Sequence, residues 1–407
     1  MAGASPLPLT GVRVLDLGRM VAAPVATQLL GDLGAEVIKV ERPGSGDDIR
    51  ANGPVFLKDR DGADDDSPYF LAVNRNKQSV TVDITSTAGK QIVRELAAVS
   101  DVLVENFKAG DLARHGLDYA SIRKVNPSLI YCSVTGFGQT GPYAQRPGLD
   151  SLFQAMSGLM SITGEPDGPP QKVGTVMSDF IGGMYAAVGI LAALRHRDLN
   201  GGLGQQIDLA LLDAQIAALL VPAQTYLVSG VVAQRHGSST PNYQPGGLYH
   251  CGDGQILLTA GADAMFASLA GLLGMPELAE DPRFGSRPAR SNHRDELTRV
   301  LEQVLGKHPR SYWLELFHAN GIMCAPVNSI GEAFADEQVR HRKVAVSTAH
   351  LTAGEVKLIA NPIRMSNAPD PPLVAPPRLG QHTDLVLSAL LGRSALEIAR
   401  LRSEGAI

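Results

Sequence analysis

Short apolar runs alternate with helical patterns through the first third of the chain. Helices are predicted at 25–33, where Pro24 suits the first turn, and at 86–98. Strands that alternate with helices predict a parallel α/β sheet covered on both faces, and such sheets bind ligands beyond the carboxyl ends of their strands. Each of five apolar runs predicts one buried strand: 12–17, 36–40, 79–84, 102–104 and 129–134.

The pattern changes after the glycine-rich break at 201–204. A further strand is predicted at 206–211, and a single helix at 212–227. The turn Gly252-Asp253-Gly254 between two apolar runs predicts a β-hairpin. Helical patterns follow near 264–273, 292–305 and 310–319.

The predicted domains follow these changes in pattern. Residues 1–227 form the first part of a large domain, and 228–330 form a smaller α+β domain. The proline-rich stretch 331–407 is expected to run mostly as extended chain and to contain a short helix at 383–391.

Composition narrows the class of protein. A chain of 407 residues is too long for one ordinary core, and 44% hydrophobic with 19% charged residues is a globular balance. A net charge of −5 favours neither a nucleic-acid nor a membrane partner. No apolar run reaches the ~18 uninterrupted residues of a membrane helix, and no signal peptide is visible. Three scattered cysteines fit a reducing compartment, so a cytoplasmic location is expected.

Several familiar catalytic motifs are absent. The turn at 18–24 lacks GxGxxG, which disfavours a nicotinamide or flavin enzyme. No GxxxxGK[ST] loop, HExxH or GxSxG motif occurs, so an NTPase, a metal site and a serine hydrolase are unsupported.

Asp179 is the candidate catalytic residue. It precedes the apolar run 186–194, which predicts a buried helix. A carboxylate at a helix entrance is favoured in its ionised form by the backbone N–H groups and the dipole, and an ionised carboxylate facing a cavity can act as a nucleophile. The structural alternative is that Asp179 only caps the helix. Gly182 and Gly183 leave this helix surface bare, either for an approaching backbone or for helix packing.

Ordered segments along nearly the whole chain resemble the family III coenzyme A transferases, the group that includes formyl-CoA transferases and α-methylacyl-CoA racemases. The segment SDFIGGMY at 178–185 carries Asp179. The other matching segments are LTGVRVLDL at 9–17, LGAEVIKVE at 33–41, NRNKQS at 74–79, VENF at 104–107, SVTGFGQTGP at 133–142, QAMSG at 154–158 and LGQHTD at 379–384.

The resemblance implies a fold and an assembly. The large domain is a Rossmann-like parallel sheet built from both chain ends, so 331–407 returns to it. The smaller domain comes from the middle of the chain. Two chains form an interlocked homodimer.

The resemblance also implies a reaction. Asp179 attacks an acyl-CoA thioester and forms an aspartyl anhydride, then an aspartyl-CoA thioester, before a small carboxylic acid accepts CoA. Coenzyme A is therefore a substrate, and no permanently bound cofactor or metal is expected.

The resemblance places one group of residues around the nucleotide of CoA. Arg75 and Lys77 are further candidates, although a lone cation is usually a solvated surface charge, and Phe107 alone is more often a core residue. The implied contacts are Val21, Ala22, Arg42, Val82, Asn106, Phe107, Lys108 and Arg114.

Two other functions stay open. The racemases of this family use a histidine in a Gly-His-Asp segment, and Leu149 occupies that position beside Asp150, so 2-methylacyl-CoA racemase or epimerase activity is the weaker interpretation. Asp150 either orients an active-site neighbour or caps a helix.

Only Gly246 and Gly247 occur where formyl-CoA transferases carry a glycine run, which disfavours formyl or oxalate specificity. A non-catalytic CoA-binding protein is the third possibility.

Overall fold

The computed structural model describes residues 6–240, 242–370 and 373–407, in two units. The first unit contains the chain up to Leu159, then Lys172–Gly230 and Arg340–Ile407. The second contains Met160–Gln171 and Val231–Val339. The domain limits at 227 and 330 stay predictions.

A six-stranded parallel sheet forms the centre of the first unit. Its order is β3-β2-β1-β4-β5-β6, the doubly wound order. Strands β2 and β3 are added on one side of β1, and β4, β5 and β6 on the other. The predicted α/β class with a parallel sheet is confirmed. The strands are β1 (Arg13–Asp16), β2 (Glu36–Glu41), β3 (Lys77–Thr81), β4 (Val102–Glu105), β5 (Ile130–Thr135) and β6 (Gln206–Ala210).

The helices follow the chain from α1 to α17. Those of the second unit are α10 (Asp263–Leu272), α11 (Arg287–Asn292), α12 (Arg294–Leu305), α13 (Arg310–Ala319) and α14 (Ile330–Ala335). The others are α1 (Ala22–Asp32), α2 (Pro68–Val73), α3 (Thr87–Ala98), α4 (Tyr119–Ile122), α5 (Asp150–Met156), α6 (Leu159–Ile162), α7 (Met177–Leu199), α8 (Leu211–Ala217), α9 (Val221–Ser229), α15 (Glu337–His341), α16 (Thr383–Leu391) and α17 (Ala395–Ser403).

Alternating strand residues supply two cores, one on each face of the sheet. Val14 and Val102 pack with Ala186 and Ile190, so α1 and α7 cover one face. Leu15 packs on the opposite face, in the core that α3, α16 and α17 complete. Because successive strand side chains point to opposite faces, a sheet covered on both sides needs apolar residues at consecutive positions, as these strands have.

Helix α7 is longer than the predicted 186–194. Among the described helices it is the single one that could cross a membrane by length and composition, while α8 and α9 pass that test only as a bent pair. About half of α7 is buried: 44% of its most apolar window lies inside the protein. Its inner face packs in the core against the sheet. A core helix of this length and composition can therefore resemble a membrane-spanning helix.

The single helix predicted at 212–227 is wrong. Helices α8 and α9 meet at an angle of 81°, and Leu220 between them has a φ of 47°. Pro222 lies in the first turn of α9, where its missing N–H needs no partner. A proline at this place cannot continue α8, so the pattern of apolar residues conceals a break.

The second unit contains a three-stranded antiparallel sheet in the order β7-β8-β9. The predicted hairpin is confirmed: β7 (Gly246–Cys251) pairs with β8 (Gly254–Thr259), and β9 (Met323–Pro326) follows on the far side of β8. Phe266, Trp313 and Phe317 anchor its core. Gly246 and Gly247 therefore lie in a paired strand rather than in an open loop.

The C-terminal segment has more regular structure than predicted. Strands β10 (Ala345–His350) and β11 (Gly354–Ile359) form an antiparallel hairpin where extended chain is expected. Helix α16 has the predicted bounds, and α17 begins at a capping box of Ser394 and Glu397, a signal that the sequence carries. Pro371 and Pro372 lie outside the described residues.

Gly182 and Gly183 are packing positions. A Cβ on Gly182 would lie 2.2 Å from Leu211 Cδ2, and one on Gly183 would lie 2.7 Å from the Ala22 carbonyl oxygen. Both distances are far below van der Waals contact. Of the two interpretations of these glycines, the structure therefore supports helix packing.

We expect Gly183→Ala to lower the free energy of unfolding by about 1–3 kcal/mol, because the added methyl group forces α7 away from α1. Gly189→Ala on the same helix is the matched control. Its Cβ would lie 3.6 Å from Ile207, an ordinary contact, so it should be neutral or stabilising by up to about 1 kcal/mol. Urea denaturation measures both, and equal effects would contradict the packing argument.

Candidate functional site

Two cavities lie near the carboxyl ends of the strands of the first unit, on either side of the turn that joins β1 to α1. We call the first the arginine cavity, a space of about 430 Å³. Phe107 and Val82 contribute apolar surface to it. It is lined by Leu17, Arg19, Val40, Glu41, Arg42, Gly46, Asp47, Val82, Asp83, Ile84, Thr85, Phe107, Asp111, Arg114 and His115.

We call the second the aspartate cavity, a space of about 580 Å³. Asp179 and Asp150 are its two acidic residues. Its wall also contains Met20, Val21, Ile49, Asn52, Tyr69, Leu149, Ser151, Lys172, Gly174, Thr175 and Val176.

Buried charged side chains fix the turn between β1 and α1. Lys39 Nζ donates to the Gly18 carbonyl oxygen at 2.8 Å and to Asp47 Oδ2 at 2.9 Å. Asp47 Oδ1 accepts from the Met20 N–H at 3.1 Å, and Met20 has a φ of 62°, which a non-glycine residue keeps only when its surroundings hold it. The turn places Arg19 in the arginine cavity and Met20 in the aspartate cavity.

Three arginines carry the positive charge of the arginine cavity. Arg42 lies 3.7 Å from Asp48, and Arg114 pairs with Asp111. The guanidinium of Arg19 instead lies over the Phe107 ring, 4.3 Å from its centroid. Within the described chain, no carboxylate forms an ion pair with Arg19, so its charge is available to an anion.

Asp179 is the third residue of α7, not its N-cap. Val176 holds the N-cap position and has no side chain that can accept a hydrogen bond. Asp150 supplies the missing acceptor from α5: its Oδ1 accepts from the Ser178 N–H at 2.7 Å and from the Asp179 N–H at 3.4 Å. Asp150 therefore caps a helix, as one of the two interpretations expected. The helix that it caps is α7, which carries Asp179, and not its own helix α5.

The surroundings of Asp179 raise the pKa of its carboxyl. Burial raises the pKa of its carboxyl to about 7, and the negative Asp150 adds to this rise. Among the described residues, no donor forms a hydrogen bond with the Asp179 carboxylate. Burial and the charge of Asp150 therefore oppose the ionisation that the start of a helix favours.

The predicted nucleotide contacts separate into groups. Arg42, Val82, Phe107 and Arg114 line the arginine cavity together.

The other four predicted contacts lie elsewhere. Asn106 holds Arg19, since its Oδ1 accepts from the Arg19 N–H at 2.9 Å and its Nδ2 donates to the Arg19 carbonyl oxygen at 2.7 Å. Val21 lines the aspartate cavity, and Ala22 is buried in the sheet core. Lys108 lines a third cavity, of about 220 Å³, beside Glu105.

Arg75 and Lys77 are structural. Arg75 Nε donates to Asp32 Oδ1 at 3.0 Å, and Lys77 Nζ lies 3.0 Å from Asp16 Oδ2 in a fully buried pair. Both cations are already neutralised inside the protein, so neither is free to bind a ligand. Within the described residues, no group of three or more His, Cys, Asp or Glu could hold a metal ion.

Sequence reasoning missed Arg19 and Lys172. Arg19 follows the first predicted strand, which is a signal for a ligand contact in a parallel sheet. Lys172 lies in a loop ahead of α7, and only the folded chain shows that it shares a cavity with Asp179.

Comparison with known proteins identifies the family. The model of CoA-transferase family III matches residues 9–383. A succinate–glutarate CoA-transferase of Agrobacterium fabrum is 43% identical, over 94% of this chain and 96% of that protein. The succinyl-CoA:glutarate CoA-transferase of Mus musculus is 41% identical, over 98% of this chain and 90% of that protein.

A solved structure agrees. The crystal structure of a CaiB/BaiF family protein from Brucella suis matches with a TM-score of 0.88 and 40% identity, over 95% of this chain and 100% of that one. The resemblance of the sequence segments is thereby confirmed, and so is the predicted class of enzyme. The chain belongs to CoA-transferase family III.

Proposed function

We propose that this enzyme transfers CoA from an acyl-CoA to a carboxylic acid through covalent intermediates on Asp179. The observation that carries this proposal is the place of Asp179, in the first turn of α7 at the wall of the aspartate cavity. No donor among the residues that the structure describes forms a hydrogen bond with its carboxylate. A carboxylate in that setting can approach a carbonyl carbon.

The reaction has four displacement steps. The Asp179 carboxylate attacks the thioester carbonyl, the C–S bond breaks, and an aspartyl–acyl anhydride and a CoA thiolate form. The thiolate attacks the aspartyl carbonyl of the anhydride, which releases the donor acid and leaves an aspartyl-CoA thioester. The acceptor carboxylate attacks that thioester and expels the thiolate. The thiolate then attacks the acyl carbonyl of the new anhydride, which gives the new acyl-CoA and restores Asp179.

The electrostatics of the site suit this chemistry. A carboxyl with a pKa of about 7 is half ionised at neutral pH, so the nucleophile is present in quantity. Its raised pKa makes the ionised form a better nucleophile than an ordinary exposed aspartate.

The arginine cavity is the proposed site for the nucleotide of CoA. Arg42 and Arg114 supply charge for phosphate groups, and Phe107 and Val82 supply surface for adenine. Asn106 acts through Arg19, and Val21 lines the aspartate cavity, into which the acyl end of CoA is proposed to extend.

We propose that the enzyme works as a homodimer in which the two chains interlock. We also propose that it is located in the cytoplasm. Helix α9 supports an interface, because Val221, Leu227 and Val228 are each more than 70% exposed. Exposed apolar patches of this kind are typical of binding surfaces. Sedimentation equilibrium measures the assembly, and a monomer at micromolar concentration would contradict it.

Leu149 argues against the racemase alternative. It lies beside Asp150 in the aspartate cavity and carries no group that can move a proton. Exchange of the α-hydrogen of a 2-methylacyl-CoA for deuterium in heavy water would overturn this conclusion.

We expect Asp179→Asn to lower the transfer rate by more than about 10³-fold while acyl-CoA still binds, because the nucleophile is lost. Succinyl-CoA with glutarate is the first pair to test, since relatives are named for these acids. Treatment of the protein with acyl-CoA and then hydroxylamine should give a hydroxamate on Asp179, detected by mass spectrometry. Asp198→Asn, at the far end of α7, is the control and should retain activity and labelling. Turnover by Asp179→Asn would remove the proposal.

The rate should depend on the ionisation of Asp179. We expect kcat/KM to rise with pH through about 7, because only the ionised carboxylate attacks the thioester. Asp150→Asn removes a negative charge but keeps an oxygen that can accept from Ser178, so the midpoint should move to lower pH. The midpoint should stay above that of an exposed aspartate, since burial is the larger cause. An unchanged midpoint in Asp150→Asn would show that Asp150 has no electrostatic effect on Asp179.

Arg42→Ala should raise KM for acyl-CoA about tenfold, with a smaller change in kcat, because it removes a charge that contacts the substrate far from the reacting carbon. Arg123→Ala removes an exposed arginine outside the arginine cavity and serves as the control. Equal KM values for the two variants would count against the assignment of this cavity.

A further inference from the structure

The aspartate cavity presents an electrostatic problem to its substrates. Asp150 lines it beside Asp179, and the acceptor must arrive as a carboxylate while Asp179 holds CoA as an uncharged thioester. The negative charge that the acceptor then meets is that of Asp150. Like charges within a few ångströms disfavour such an approach, the more so where water is excluded. A cation in the same cavity would offset this repulsion.

Among the described residues, Lys172 is the one basic residue in the lining of this cavity. In the described part of the chain its ammonium group forms no ion pair or hydrogen bond. Most other lysines and arginines near the strand ends are paired, as Lys39 is with Asp47 and Lys77 is with Asp16. The charge of Lys172 is therefore uncommitted.

The backbone that follows Lys172 is held from inside the protein. Gln154 is fully buried, and its Oε1 accepts from the Val173 N–H at 2.9 Å. Its Nε2 donates to the Thr175 carbonyl oxygen at 3.3 Å and to Asp150 Oδ2 at 2.6 Å. One buried side chain thus connects the segment that carries Lys172 to the residue that caps the helix of Asp179. This connection fixes the backbone next to Lys172 relative to the turn that carries Asp179.

Part of the lining suits a short hydrocarbon chain. Val21, Ile49, Leu149 and Val176 contribute apolar surface to the same cavity. A substrate with charge at both ends and methylene groups between them would match this arrangement of one cation, one nucleophile and an apolar wall.

We propose that the Lys172 ammonium group binds the non-reacting carboxylate of the acid, so that the acids this enzyme exchanges are dicarboxylic. The inference rests on the proposed function, because Asp179 defines the reacting end. Binding at Lys172 holds the second carboxylate in place while the first attacks the aspartyl-CoA thioester.

The test compares acids that differ in one carboxylate. Succinate and butyrate, glutarate and pentanoate, and adipate and hexanoate are matched in chain length. In a double-displacement reaction, kcat/KM for the acceptor reports only the step in which that acid reacts, so a single acyl-CoA donor serves for all. The wild-type enzyme should prefer the dicarboxylate in at least one pair by tenfold or more.

Lys172→Met should lower kcat/KM for the preferred dicarboxylate by about 10- to 100-fold, the contribution of one charge-assisted hydrogen bond. The matched monocarboxylate should be unaffected, and Lys172→Arg should restore most of the preference. Lys124→Met, which removes an exposed lysine outside both cavities, is the control. Lys172 is exposed, so its substitution should leave folding intact.

Three results would overturn the proposal. They are an equal loss with both acids of a pair, no loss with either, and a wild-type preference for the monocarboxylate in every pair. Formation of the Asp179 hydroxamate in Lys172→Met separates this proposal from the proposed function. Labelling that persists while specificity does not change rejects Lys172 alone, whereas absence of labelling in the wild type rejects the covalent role of Asp179.

Discussion

The hydrogen bond from the Ser178 N–H to the Asp150 carboxylate is the interaction on which the site depends. Helix α7 begins without a capping side chain of its own, so its first N–H groups need an acceptor from elsewhere. Asp150 provides that acceptor at 2.7 Å and thereby fixes the turn that carries Asp179. The same carboxylate adds negative charge beside Asp179 and contributes to its raised pKa. One contact therefore sets both the position and the ionisation of the proposed nucleophile.

A second constraint comes from the buried ion pairs that strands β1, β2 and β3 contribute beside the turn between β1 and α1. Lys39 with Asp47, and Lys77 with Asp16, are charges that would be costly to leave unpaired inside the protein. Their hydrogen bonds hold the turn between β1 and α1, which contributes to both cavities. The two cavities share this wall. If it is rigid, binding of the CoA nucleotide in one cavity helps to orient the thioester at Asp179 in the other.

The sequence predicted helices and strands well where they depend on residues that are close together along the chain. The strands of the parallel sheet and the hairpin of the second unit follow from short apolar runs and a Gly-Asp-Gly turn. The prediction of one helix at 212–227 was wrong because Pro222 interrupts the helix, while the apolar pattern continues on both sides of it. The hairpin of β10 and β11 also pairs neighbours in the sequence, and it was missed because the prolines that follow it led to a prediction of extended chain for the whole segment.

The sequence by itself determined the parallel α/β class, the family and the place of Asp179 near the start of a long helix. Those features depend on residue order along the chain. Only the tertiary structure decided which charges are free. Arg75 and Lys77 are buried partners of aspartates, while Arg19 and Lys172 line cavities and form no ion pair with any described residue. The raised pKa of Asp179 likewise depends on burial and on Asp150, because electrostatic interactions act through space between groups that the sequence separates.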